Sequence, residues 1–167
     1  MHWSLYATLT PAPPPVSKVI VIGEQKILTA KDGGNANLLV AQSAELNQAA
    51  TIQSISFYVT NAGGNLTLGI YDAKGPNGGP GSIVAQTSSF TPMRGWNTAS
   101  VLMPVALQPG TYWLTYLPSS DTLQFVKQLT GNSNWSSFSY GVMPSTFTAT
   151  TGSEAVHWSM YATLLGF

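Results

Sequence analysis

The residues of this sequence that could do chemistry are its few acids and its many aromatics, and the two sets point in different directions. Six acids are present: Glu24, Asp32, Glu45, Asp72, Asp121 and Glu154. A glycosidase needs two carboxyl groups facing each other across the scissile bond, about 5–10 Å apart. No pair has a spacing that arranges this, and all but Glu45 lie in or beside a stretch of turn residues. His2 and His157 sit in two copies of one octapeptide, so they are not an independent pair. No GxSxG, HExxH or P-loop pattern occurs, and the glycine-rich AKGPNGGPG (73–81) lacks the lysine–hydroxyl ending that grips phosphate. The expectation is a chain that is not an enzyme. A structural calcium held by loop carboxylates and carbonyls is the one metal the pattern allows. Asp72 and Asp32 are its only candidate ligands, with no DxDxDG-like cluster around them.

The five Trp, seven Tyr and six Phe carry more information. Sugars offer flat C–H faces that stack on Trp and Tyr, while their hydroxyls bond to Asn, Gln, Ser and Thr. In TIQSISFYVT (51–60), Ile52, Ile55, Phe57 and Val59 mostly share one face and Tyr58 lies opposite. Tyr71 does the same after Leu66, Leu68 and Ile70, and Trp113 is out of phase with Tyr112, Leu114 and Tyr116. GNSNWSSFSYG (131–141) sets Trp135, Phe138 and Tyr140 among Asn and Ser, which reads as an exposed loop and strand edge. These six aromatics are the expected ligand-binding residues, with Trp135 foremost. Trp96 and Trp158 are expected to fill the core.

The surrounding elements follow from composition and alternation. Charged residues make up only 7% of the 167, against about 25% in typical soluble domains, so 18 Ser, 18 Thr, 9 Asn and 8 Gln must supply solubility. Five Lys and one Arg are scattered singly and the net charge is zero, which argues against nucleic acid and anionic membranes as partners. There is no cysteine, hence no disulfide framework or thiolate metal site. Period-2 segments recur between the turn-rich stretches KDGGN, TNAGGN, AKGPNGGPGS, TPMRGWN, LQPG and LTGNSN. ANLLVAQSAELNQAA (36–50) has good helix formers but is expected as strand in this context. The fold expected is all-β: an antiparallel β-sandwich of about nine or ten strands, in jelly-roll form.

Three stretches carry a resemblance: SISFYVTNAGGNLTLGIYDAKGPNGGPGSIVAQT (54–87), GWNTASVLMPVALQPGTYWLTY (95–116) and HWSMYATL (157–164). A strand ending in IYD, a loop with PG, an IVAQT strand, a GTYWL strand and a closing WSxYAT strand resemble the jelly-roll, carbohydrate-binding-like accessory and repeat modules of large bacterial secreted proteins. The resemblance spans roughly residues 50–165 and implies a fold more than a set of sugar contacts.

The octapeptide HWSLYATL (2–9) recurs as HWSMYATL (157–164), one difference in eight. The simplest organisation is residues 1–10 as the tail strand of a preceding tandem module, 11–16 as a proline-rich linker containing PAPPP, and 17–167 as the module itself. No secretion signal is recognisable at the start, so a secreted or cell-surface parent would carry it upstream. Two functions compete on these grounds. One is a non-catalytic module binding polysaccharide or cell-surface glycan, the other a structural or adhesive repeat that contacts neighbouring copies of itself.

Overall fold

The computed structural model of the chain describes residues 1–2 and 17–166. Expectations about the first octapeptide copy and the PAPPP linker lie outside the described residues. Fourteen extended segments follow one another: β1 (Val19–Gly23), β2 (Ala30–Gly33), β3 (Leu38–Leu46), β4 (Ala50–Asn61), β5 (Leu66–Asp72), β6 (Ile83–Gln86), β7 (Gly95–Ser100), β8 (Ala106–Leu107), β9 (Gly110–Pro118), β10 (Gln124–Gln128), β11 (Ser133–Ser137), β12 (Gly152–Glu154), β13 (His157–Trp158) and β14 (Met160–Gly166). They form two antiparallel sheets packed as a sandwich. Among the described residues the only helical piece is a 3-10 turn at Pro76–Gly78, and the stretch 36–50 forms strand β3 over Leu38–Leu46, as expected, rather than helix.

The first sheet is built on β4, with β14 along one side and β7 and β8 along the other; β1 lies outside β14. Leu164 pairs with Ile52 and Thr163 with Ser54, so Gln53 is an extra residue, a β-bulge. The bulge resolves the break in the sequence pattern, because it lets Ile52 point the same way as Ile55, Phe57 and Val59. All four are completely buried. The second sheet runs β12-β11-β3-β9-β5-β6.

Between the sheets Phe57, Tyr116, Phe125 and Trp158 form an aromatic knot with neighbouring ring centroids 4.9–5.3 Å apart. Gln42 of β3, buried, ties the two sheets together. Its Oε1 accepts from the Trp158 backbone N–H at 2.7 Å and its Nε2 donates to the Met160 carbonyl at 3.2 Å.

The two sheets differ in what covers their outer faces. On the second sheet Leu39, Ala41, Tyr71, Trp113 and Leu117 form a further buried cluster with Met143 and Phe147, which belong to the segment after β11. That segment is pinned by Phe147 N–H to the Gly81 carbonyl (2.7 Å) and Ile83 N–H to the Ser145 carbonyl (2.9 Å). With both faces covered, β5 and most of β9 are buried on both sides. The first sheet keeps the ordinary alternation, buried on one side and open on the other along β4 and β14.

Candidate functional site

The open face of the first sheet carries an aromatic cluster. Trp96 of β7 is the direct cross-strand partner of Tyr58 of β4, and their rings meet edge to face at 5.4 Å and 69°. Trp96 also reaches across β4 to Tyr161 of β14, at 5.0 Å and 62°. All three are half-buried, each covering part of the next. Beside them the register aligns Thr98 with Ser56, Ser56 with Tyr161, Ser100 with Ser54 and Ser54 with Thr163. Ser56 and Thr98 share a hydrogen bond of 2.7 Å. The result is three aromatic rings next to the surface hydroxyls of Ser54, Thr98, Ser100 and Thr163, with Ser56 buried beneath them and no charged side chain in the set.

Local chemistry sets these positions. Trp96 follows Gly95, whose φ of 106° lies in the left-handed region that glycine tolerates best. The Asn97 side chain closes the turn that feeds β7. Its Oδ1 accepts from Met93 N–H (2.8 Å), and its Nδ2 donates to the carbonyls of Met93 (2.7 Å) and Gly95 (2.9 Å). Tyr58 N–H donates to the Ser159 carbonyl at 3.0 Å. Opposite Tyr161 on β1 stands Gly23, so β1 sets no side chain beside that ring. A Cβ there would come within 2.5 Å of the Met160 carbonyl oxygen, at a φ of 98°.

Of the six aromatics expected to bind ligand, Tyr58 alone belongs to this cluster. Tyr71 and Trp113 do point to an outer face, but it is the covered one. Tyr71 is fully buried and its hydroxyl donates to the Pro144 carbonyl at 2.8 Å. Burial pushes this phenol well above its usual range, so it stays a neutral donor. Trp113 is 2% exposed and its indole N–H is taken by the Gly78 carbonyl at 3.1 Å. Phe138 and Tyr140 pack against the same cluster as part of the cover, the Tyr140 hydroxyl meeting Thr67 and Ser89.

Trp135 is on β11, between β3 and β12, rather than in a loop. It packs against the main core, and its indole lies over Gly152, where a Cβ would sit 2.6 Å from the ring. Two of the neighbouring serines that suggested exposure, Ser133 and Ser136, are themselves buried. Ser133 Oγ donates to the Glu154 carbonyl and Ser136 Oγ to the Ala149 carbonyl, each at 3.0 Å. Satisfied hydroxyls of this kind pack at little cost.

The two calcium candidates are occupied by the protein's own groups. Asp32 accepts the Trp158 indole N–H at 2.7 Å and pairs with Lys127 at 3.3 Å. Asp72 accepts the backbone N–H groups of Ser82 (2.8 Å) and Lys74 (3.2 Å), tying off the 72–82 loop. Among the described residues no three His, Cys, Asp or Glu side chains converge.

A groove of about 570 Å³ lies on the covered side of the second sheet, lined by Asn77, Asn132, Asn134, Phe147, Thr148 and Ser153 among others. It has polar amides, but its two aromatic lining residues, Trp113 and Phe147, are both buried. The aromatic face of the first sheet is therefore the stronger candidate site. Trp96, expected to fill the core, stands instead half-buried on the outer face, paired with Tyr58 and in phase with Thr98 and Ser100, while Val101 is buried. No known family matches the chain, and no curated protein matches it.

Proposed function

We propose that this chain is a non-catalytic binding module that holds neutral polysaccharide on the Tyr58–Trp96–Tyr161 face. The reading includes a jelly-roll arrangement like that of carbohydrate-binding modules in secreted bacterial proteins, and a secreted or cell-surface parent. The observation that carries it is the aromatic cluster beside an uncharged hydroxyl grid, the pairing of groups that a sugar's C–H face and hydroxyls call for. The rings meet at 62–69°, so the surface is corrugated rather than planar. Such a surface favours single glycan chains, which can settle between the rings, over the flat face of a crystalline fibre. The set holds no carboxylate, imidazole or amine to activate its hydroxyls, which supports binding without turnover.

The duplicated octapeptide favours a second reading, a structural or adhesive repeat that contacts only its own copies. Affinity electrophoresis against a panel of soluble neutral polysaccharides separates the two. Retardation by at least one glycan, lost in Trp96→Ala, supports the binding module. No retardation by any member would leave the repeat reading in its place.

A further inference from the structure

The slot filled by β13 and β14 is specified almost residue by residue. His157 Nδ1 meets the Thr130 carbonyl at 2.6 Å and Nε2 lies 3.4 Å from Glu24. Trp158 gives its backbone N–H to Gln42 and its indole N–H to Asp32. Ser159 Oγ donates to the Lys26 carbonyl (2.8 Å) and accepts from Leu28 N–H (2.9 Å). The Met160 carbonyl accepts from Glu24 N–H (2.8 Å) and from Gln42. Tyr161 joins the outer cluster, while Met160, Ala162 and Leu164 are completely buried.

Every side chain in that account has its counterpart, in the same order, in His2, Trp3, Ser4, Leu5, Tyr6, Ala7 and Leu9. The single difference puts Leu5 where Met160 stands, a volume-conserving exchange that cores tolerate. A strand that merely needed to be apolar would not have to repeat the His, Trp and Ser whose polar groups the slot reads. The chain thus encodes two strands for one slot.

We infer that the β13–β14 slot of one molecule accepts residues 2–9 of a second copy of this chain, by exchange of the final strand. The intervening sequence favours a second molecule over a turn back. PAPPP favours an extended spacer of about 15 Å, at roughly 3.1 Å per residue. The slot lies antiparallel to β1, so the start of β1 at Val19 lies beside the far end of the slot, at Leu165. For residues 2–9 to fill the slot of their own chain, the stiff PAPPP would have to fit inside a reversal made by residues 10–18. Each such contact is head-to-tail, and so can propagate beyond a dimer. This inference does not depend on glycan binding.

The test uses the full chain. Met160→Asp places a carboxylate at a fully buried position and disqualifies the chain's own final strand. If the inference holds, Met160→Asp still melts cooperatively and sediments at twice the monomer mass or more, and adding Leu5→Asp abolishes both. Leu5→Asp alone should leave melting unchanged, since residues 157–164 then fill the slot. A Met160→Asp protein that is as unfolded as the double variant would overturn the inference. So would one that folds as a monomer, which would mean the segment closes on its own chain. A loss of stability in Leu5→Asp alone would show that both copies are already needed, and would overturn it too.

Discussion

Trp96 stands directly across the ladder from Tyr58, and the two rings, both half-buried, meet edge to face at 5.4 Å on the outer face of the first sheet. Edge-to-face pairs add roughly 0.5–1.5 kcal/mol beyond their burial. The cluster therefore both stabilises the edge strand β7 and holds its rings in a fixed relation before any ligand arrives. Fixed rings need little ordering on binding, which is where much of the cost of recognition falls.

Asn97 is predicted to act through Trp96 rather than by touching ligand. Asn97→Ala removes the three bonds that shape the 93–97 turn and frees the orientation of the indole. The expected result is a several-fold weaker glycan affinity with a loss of about 1–2 kcal/mol in stability. Isothermal titration and urea unfolding on the same variant measure both, and unchanged affinity would exclude the positioning role.

Trp135, the leading candidate from sequence, is predicted to matter for stability alone. Trp135→Ala should cost about 2 kcal/mol, below the 3–5 kcal/mol typical of fully buried Trp because its ring is partly exposed. At this chain length that lowers Tm by roughly 4–8 °C. Glycan retardation should be unchanged; its loss at unchanged Tm would return Trp135 to the binding site.

Gln42 is predicted to be the most costly polar residue to remove. Gln42→Ala orphans the buried Trp158 N–H and deletes one of two bonds to the Met160 carbonyl. A buried donor left without a partner costs about 1–3 kcal/mol, and the vacated space adds to it, for a total near 3 kcal/mol. Urea denaturation giving a change below about 0.5 kcal/mol would contradict the inter-sheet clamp.

Tyr71 and Tyr116 link stability to alkaline pH. Burial raises both phenols above the usual value of 10.0. In the unfolded chain they ionise near pH 10, whereas the folded state holds the neutral form. Their contribution is therefore intact below about pH 10 and is lost as pH rises towards the folded value. Each can remove up to about 1.4 kcal/mol per pH unit in that window. Tyr71→Phe should lose about 1 kcal/mol at pH 7 with its bond to Pro144, yet show a shallower decline between pH 10 and 11. Urea unfolding at pH 7, 10 and 11 tests this, and an unchanged slope would contradict it.

Much of the fold was legible because alternation is strong in β4, β5 and β14, and the gap in phase at Gln53 is a bulge against β14. Alternation also put Tyr58 and Tyr71 on equal terms, each opposite an apolar face. What separates them is a segment more than sixty residues further on, which lies over Tyr71 and Trp113 but not over Tyr58, which stays half-exposed. No local pattern encodes which outer face a distant segment covers. The strand before that segment, β11, was itself disguised by composition. A run of Ser and Asn around Trp135 reads as solvated, but Ser133 and Ser136 are buried with their hydroxyls satisfied by backbone carbonyls.

The most direct test of the binding face is the affinity of Trp96→Ala for a soluble neutral polysaccharide that retards the wild-type chain, measured by titration beside its Tm. Removing the central ring should weaken binding tenfold or more, equivalent to about 1.4 kcal/mol or more, while Tm falls by only a few degrees. Tyr161→Ala should follow in the same direction with a smaller effect. Wild-type affinity in a folded Trp96→Ala protein would contradict the assignment of this face.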